Sequence, residues 1–225
     1  MAETLTAVIP VRAGSQRVPD KNIRPFGDTT LLELKLEILV ATEGLSGIVV
    51  NTDCDRCEAI ARRHGVLVHR RAPEFASSQV TNDRHWRHLA EVTETDILMM
   101  AQVTSPMIRK STYEKAIRQY RDAGSAIDSL NSVTPEKKFL WQNGKPLNYE
   151  ASQTPRSQDL PDIVSLNFAI TIIERDVMID RANVVGQHPK LVTLDRIESI
   201  DIDDQLDFEF AEFVYLENGK DWLLG

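Results

Sequence analysis

Val8–Asn22 reads VIPVRAGSQRVPDKN, an apolar run that breaks into a short polar stretch carrying Gly14, Ser15 and the cations Arg12, Arg17 and Lys21. An apolar strand that delivers such a turn has the makings of a nucleotide-binding loop. A glycine lets the backbone approach a phosphate, free N–H groups face the phosphate oxygens, and the cations offset the charge. No G-x-x-x-x-G-K-[ST] occurs, and Gly14 is the only glycine before Gly27, so neither a Walker A loop nor a dinucleotide fingerprint is present. A different kind of nucleotide loop is required.

The surrounding pattern repeats strand and helix. Leu5–Val11 is a short apolar β-rich run, and Leu31–Thr42 has apolar residues at helical spacing. Gly47–Val50 then reads as a strand ending in Asn51-Thr52-Asp53, Arg56–His64 as a helix closed by Gly65, and Val66–His69 as another strand. A loop over Ala72–Thr81, a helix over Asn82–Thr95, a buried strand over Asp96–Ala101 and a helix over Ser111–Asp122 follow. Lys137–Asn148 breaks the rhythm as a hairpin around Asn143-Gly144; Ile163–Ile173 returns to the sheet, Lys190–Leu194 adds a strand, and Gln205–Leu216 is a final amphipathic helix. This predicts an α/β doubly wound, mostly parallel sheet with both faces covered, in one domain over residues 1–225 with 134–162 as an excursion. Ligands in such sheets collect beyond the carboxyl ends of the strands, where three polar clusters lie: the Gly14 loop, Asn51–Asp53 and Gln102–Ser105.

At 225 residues, 42% hydrophobic and 27% charged, the composition is that of a soluble globular protein needing no disulfides. No segment is long and apolar enough for a membrane span, and no leader pattern opens the chain, so the expectation is a cytoplasmic protein with no membrane partner. A net charge of −8 argues against general nucleic-acid binding and for a small anionic partner held in a local cationic pocket. Cys54 and Cys57 lack a second pair for zinc, and read as two thiols at the start of a helix. His85 and His88 read as a solvated helix face.

Asp201 and Asp203, in SIDIDDQ, fall on one side of an extended segment and could share a hard cation such as Mg²⁺, which accepts one or two carboxylates plus phosphate oxygens and water. Acids ahead of a helix equally suit its dipole, and Asp204 and Asp207 are assigned to that end. Asp53 could reach a metal or cap the next helix. Arg71 and Arg156 lie in predicted loops, either solvated or gripping the carboxylate of an acidic second substrate. Gln102, Thr104 and Ser105 could hydrogen-bond a base or sugar, or merely satisfy a strand end.

Taken in order, these stretches resemble the N-acylneuraminate cytidylyltransferases. The family's I-P-A-R-x-G-S-K-R-x-P-x-K-N is matched at Ile9, Pro10, Arg12, Gly14, Ser15, Arg17, Pro19, Lys21 and Asn22; S-T-D appears as Asn51-Thr52-Asp53; the arginine loop as Arg71 with Glu74-Phe75-Ala76; Q-P-T-S-P as Gln102-Val103-Thr104-Ser105-Pro106; R-R-Q-x-L-P as Arg156–Pro161 with Ser157 in place of the second Arg; and S-I-D-I-D is intact at Ser199–Asp203. The resemblance implies a Rossmann-like nucleotidyltransferase that converts CTP and a sialic-acid-like keto-sugar acid to a CMP-sugar and pyrophosphate with Mg²⁺. It implies that Arg12, Ser15 and Lys21 hold the triphosphate, Asn22 and Gln102 the cytidine, and Asp201 and Asp203 the metal, and that the hairpin is the dimerisation arm of a homodimer. Three departures stand out. Gln16 replaces a Lys, Asp20 adds a negative charge, and the N-G-A-I-Y-I strand of the sugar pocket reads Asn167-Phe168-Ala169-Ile170-Thr171-Ile172. They keep open another acidic acceptor, an octulosonate or a phosphonate, or a CTP-binding protein without catalysis.

Overall fold

The computed structural model describes residues 3–77 and 79–225. The chain runs β1 (Leu5–Pro10), a small hairpin of β2 (Pro25–Phe26) and β3 (Thr29–Thr30), α1 (Leu31–Ala41), β4 (Gly47–Thr52), α2 (Asp55–Arg63) and β5 (Leu67–Arg70). It continues through α3 (Pro73–Ala76), α4 (Asn82–Glu91), β6 (Ile97–Ala101), α5 (Lys110–Ala123), β7 (Ser129–Glu136) and a second hairpin, β8 (Trp141–Gln142) and β9 (Lys145–Pro146). It closes with β10 (Ile163–Glu174), α6 (Arg175–Arg181), β11 (Pro189–Thr193), α7 (Gln205–Asn218) and α8 (Lys220–Leu224). No helix among the described residues is long and apolar enough to cross a membrane.

Seven strands form the sheet in the order β11-β7-β10-β6-β1-β4-β5. Every neighbouring pair is parallel except those of β10, which runs antiparallel to both β6 and β7. β1 shows why both faces must be covered: Leu5, Ala7 and Ile9 enter the larger core with α1, α2, α5 and α7, while Val8 points the other way, with Leu98, Met100 and Ile173, toward α4 and α6. A central strand buried on both faces has no polar side to offer, which is why LTAVIP is nearly continuous in apolar residues.

The doubly wound, mostly parallel sheet is as expected, and the Asn143-Gly144 hairpin turn has φ of 51° and 76° at its two central residues, the twist a two-residue hairpin favours. Other expectations need correction. The loop over Ala72–Thr81 contains the single turn α3, and the hairpin β2–β3, α6 and α8 lie where no element was assigned. The first of these matters for the site. It tucks Phe26 between Phe208 and Tyr215, with ring centroids 5.5 and 5.2 Å away, and so ties the exit of the Gly14 loop to α7. Gly27 is needed there: at φ +58° a Cβ would sit 2.8 Å from Tyr215 Cε1.

Candidate active site

The loop after β1 is fixed at both ends by backbone atoms and left free in the middle. Val11 N–H donates to Asn51 O (3.0 Å), Ala13 N–H to Asp53 Oδ1 (2.8 Å), Asn22 Nδ2 to Arg12 O (3.2 Å), and Leu32 N–H to Asn22 O (3.0 Å). Buried Val18 anchors the far side, so Gly14, Gln16 and Arg17 project into solvent with Ser15 half-exposed. Gly14 has φ of +70° and open space around it, a conformation and a clearance that suit close approach by a ligand. Asp53 therefore does not cap α2, whose N-cap is Cys54 without a side-chain bond; it pins the loop instead.

Facing this loop is the segment before α7. Ile202 is fully buried and its N–H donates to Thr104 O (2.8 Å), which turns Asp201 and Asp203 together toward the loop. Lys21 Nζ donates to Ile202 O (2.6 Å) and Arg17 pairs with Asp203 at 2.8 Å. Asp204 and Asp207 form a capping box at the start of α7, as assigned to them, so the helix end is satisfied without Asp201 and Asp203. Burial lowers the Lys21 ammonium, against the raising pull of Asp201 and Asp203. Burial also raises the Asp201 carboxyl, helped by Asp203 and opposed by its bond to Thr104 and by Lys21. The donor chemistry fits Mg²⁺ as a half-site: two carboxylates converge, no group of three or more His, Cys, Asp or Glu among the described residues forms a ready cage, and phosphate and water oxygens would complete the shell. Asp20, at φ +52°, turns away from the loop and pairs with Arg56 at 3.4 Å.

A cavity of about 300 Å³ adjoins the loop on the other side of β1, lined among others by Arg12, Arg71, His85, Trp86, Gln102 and Phe168. Arg71 is buried, not solvated: its Nε donates to Asn51 Oδ1 and its Nη2 to Asn51 O (3.0 Å), and burial brings it down to about 10. The expectation of a solvated histidine face also fails. His88 is buried and stacked on Phe75 with 3.6 Å between centroids, and His85 is pushed down to about 4 by burial and then by the charges of Arg71, His88 and Arg12. His85 is thus neutral at pH 7. Phe168 occupies a register shift in β10 at φ +55°, a conformation disfavoured for a bulky residue, with its ring 6.1 Å from Trp86.

The structure brings Arg17, Lys21, Asp201 and Asp203 together, with Gly14 and Ser15 on the open loop and Asn22 buried behind it, and brings Arg12, Arg71 and Gln102 to the neighbouring cavity. It does not bring the rest with them. Ser105 is buried, and its carbonyl accepts from Lys35 Nζ (2.8 Å). Asn167 spends its amide on Thr134 and Ser132. Arg156 is exposed on the excursion, bonded to Asp159 at 2.7 Å. Cys54 and Cys57 are free thiols, the latter raised to about 12 by burial. Reading the sequence named Thr104 and His85 in other roles, a base or sugar contact and a solvated face, where the structure has Thr104 bonded to Asp201 and His85 in the cavity; it missed Trp86. A helical wheel on Trp86, Leu89 and Ala90 would have turned that side of α4 inward.

The sequence profile of the family described as cytidylyltransferase matches residues 6–221. This chain belongs to the cytidylyltransferase family. An N-acylneuraminate cytidylyltransferase of Oncorhynchus mykiss is 29% identical over 217 residues, covering 92% of this chain and 49% of that protein. A CMP-N,N'-diacetyllegionaminic acid synthase of Legionella pneumophila is 25% identical, covering 92% and 94%. The chain thus spans about half the length of the first of these relatives and nearly all of the second. Among solved structures, a CMP:2-keto-3-deoxy-manno-octonic acid synthetase complexed with CTP superposes with a TM-score of 0.69 at 16% identity, covering 96% of this chain and 100% of that one. A 4-diphosphocytidyl-2C-methyl-D-erythritol synthase from Anaerococcus prevotii gives 0.71 at 13%, covering 96% of each. Both share the fold of this family member.

Proposed function

We propose that this cytidylyltransferase transfers CMP from CTP to the anomeric hydroxyl of a keto-sugar acid and releases pyrophosphate. The observation that carries the reading is the meeting of Lys21 and Arg17 with Asp201 and Asp203 where the loop after β1 faces the segment before α7, with Arg12 lining the cavity next to it. Bound at Asp201 and Asp203, Mg²⁺ would supply charge neutralisation at the phosphates. The loop N–H groups and Ser15 cradle the triphosphate. Arg12, Arg17 and Lys21 stabilise the charge that grows on the pyrophosphate oxygen as the hydroxyl oxygen bonds to the α-phosphorus, gives its proton to solvent, and the α-phosphorus–pyrophosphate oxygen bond breaks. Arg17 and Asp203 are both largely exposed, so their ion pair stabilises the fold by no more than about 0–1 kcal/mol and exchanges readily for phosphate and cation. Asn22 and Gln102 take the cytidine. Arg71 faces the acceptor's carboxylate, and neutral His85 offers a hydrogen bond without adding a third positive charge.

A second reading of the acceptor rests on Phe168. Its ring, Trp86 and His85 hold the cavity to about 300 Å³, the lower end of the ~300–1,000 Å³ range of small-molecule sites. A compact acid, an octulosonate or a phosphonate, fits that space better than a nine-carbon diacetamido sugar. The exposed aromatics of the hairpin, Phe139 and Trp141 with Leu147, support pairing of two chains through residues 134–162. The test is pyrophosphate release with each of the four ribonucleoside triphosphates and a panel of sialic, legionaminic, pseudaminic and octulosonic acids and phosphonates, with Mg²⁺ and with chelator. Turnover with CTP and one acid, lost on chelation, is the expected result; CTP binding without turnover on any acid would sink it in favour of a non-catalytic CTP-binding protein.

A further inference from the structure

Helix α7 is apolar on two faces. Phe208, Ala211 and Tyr215 pack into the core, while Leu206, Phe210, Phe213 and Leu216 form a second stripe that is 73%, 54%, 59% and 64% exposed. At 3.6 residues per turn these four share one side of the helix, and an amphipathic surface helix carries only one such stripe. Exposed apolar stripes of this kind mark interaction surfaces. The charge pattern says what kind of partner fits. Glu209 and Glu217 are exposed among the four apolar residues, Asp207 and Glu212 border them, and α7 has no Lys or Arg. A second copy would set acid against acid, and an anionic lipid surface requires the basic flanks this helix lacks.

We propose that the outer face of α7 docks a basic amphipathic helix of a partner protein, whose apolar residues seat on Leu206, Phe210, Phe213 and Leu216 and whose Lys or Arg residues face Glu209 and Glu217. Hydrophobic burial supplies the contact, and the acids select the sign of the partner's rim. The surface lies outside the catalytic machinery, so docking is separable from CMP transfer.

The test uses the full chain and two synthetic amphipathic helices of about five turns, identical except for Lys or Glu beside the Leu stripe, titrated by fluorescence anisotropy at about 0.15 M salt. The Lys peptide is expected to bind at least about tenfold more tightly than the Glu peptide. Phe210→Ser with Phe213→Ser is expected to weaken binding by at least the same factor, and Glu209→Lys with Glu217→Lys to invert the preference. The charge-reversed pair changes only exposed side chains, which keeps the test valid if the serine variant does not fold. No binding of either peptide, an unchanged preference after charge reversal, or binding untouched in a folded serine variant overturns the proposal. Self-association of the wild type that disappears in the serine variant assigns the face to a second copy, and binding to phosphatidylserine vesicles assigns it to a membrane; either also overturns it.

Discussion

The cleft has two sides built on different principles. On the side proposed for the phosphates, small or extended residues are pinned through backbone atoms, and opposite charges rest in a solvent-exposed pair that exchanges at little cost, as between Arg17 and Asp203. On the side proposed for the acceptor, Arg71 is buried and locked to Asn51, and the cavity is walled by rings: His85, Trp86 and Phe168. The first side is organised around charge that any nucleotide brings. The second is organised around shape, and there this chain departs from the N-G-A-I-Y-I pattern of the N-acylneuraminate cytidylyltransferases it resembles. Chemistry and selectivity should therefore fail separately.

The strongest test of that separation removes a charge from the phosphate side. Asp201→Asn or Lys21→Ala should cut turnover at saturating CTP by about 10²–10³-fold, the usual loss for one preorganised electrostatic group, with the same factor for every acceptor. Pyrophosphate release measures it, and melting curves check that each variant leaves the fold intact. A loss confined to one acceptor would break the comparison, since it would put selectivity on the phosphate side.

A smaller and opposite pattern is expected from Phe168→Gly. Glycine accepts φ of +55° freely, where a non-glycine residue is held there at a cost of about 1–2 kcal/mol, so lost contact with Trp86 is offset and the melting temperature should hold or rise. The opened cavity should shift kcat/KM toward acceptors with an added acyl group by about 10–200-fold relative to compact ones, the range a pocket wall commands. Competition between two acceptors reads the ratio directly. An unchanged ratio would mean that the ring does not bound the acceptor.

The same division explains what could be read from the chain. The unbroken apolar run of β1 and the stop at Asn51–Asp53 made the parallel sheet legible, because a strand buried on both faces and the helical crossover after it each leave a mark in sequence. The loop and SIDID were legible because charge and glycine are local, and Ile202 does sit buried between two outward acids. The acceptor side was not. Arg71 and His85 owe their burial to packing between α4, β4 and β5, and an arginine in a loop carries no local trace of an asparagine twenty positions earlier that will hold it. Phe168 gave only a departure from a pattern; its positive φ comes from the register shift against β7, a property of two strands.

Beneath the two sides lies a group that belongs to neither. Lys35 is fully buried in α1, and its Nζ donates to Ser105 O (2.8 Å) and Tyr113 Oη (2.6 Å), so it supports the turn that brings Gln102 to the cavity and Thr104 to Asp201. Burial pushes Lys35 down to about 7, with Glu198 pulling it back up, whereas an unfolded lysine titrates near about 10.4. Between those values the unfolded chain binds the extra proton, so stability rises with pH across that window, by at most about 1.4 kcal/mol per unit, and the dependence ends below about 7, where both states are protonated. Lys35→Met removes the titrating group. The stability of wild type relative to this variant should therefore grow from pH 7 to pH 9 in urea titrations, while the turnover of both changes little and equally for all acceptors. Parallel stability profiles would show that Lys35 stays charged in the folded protein, paired with Glu198, and that the turn joining the two sides is held by an ion pair.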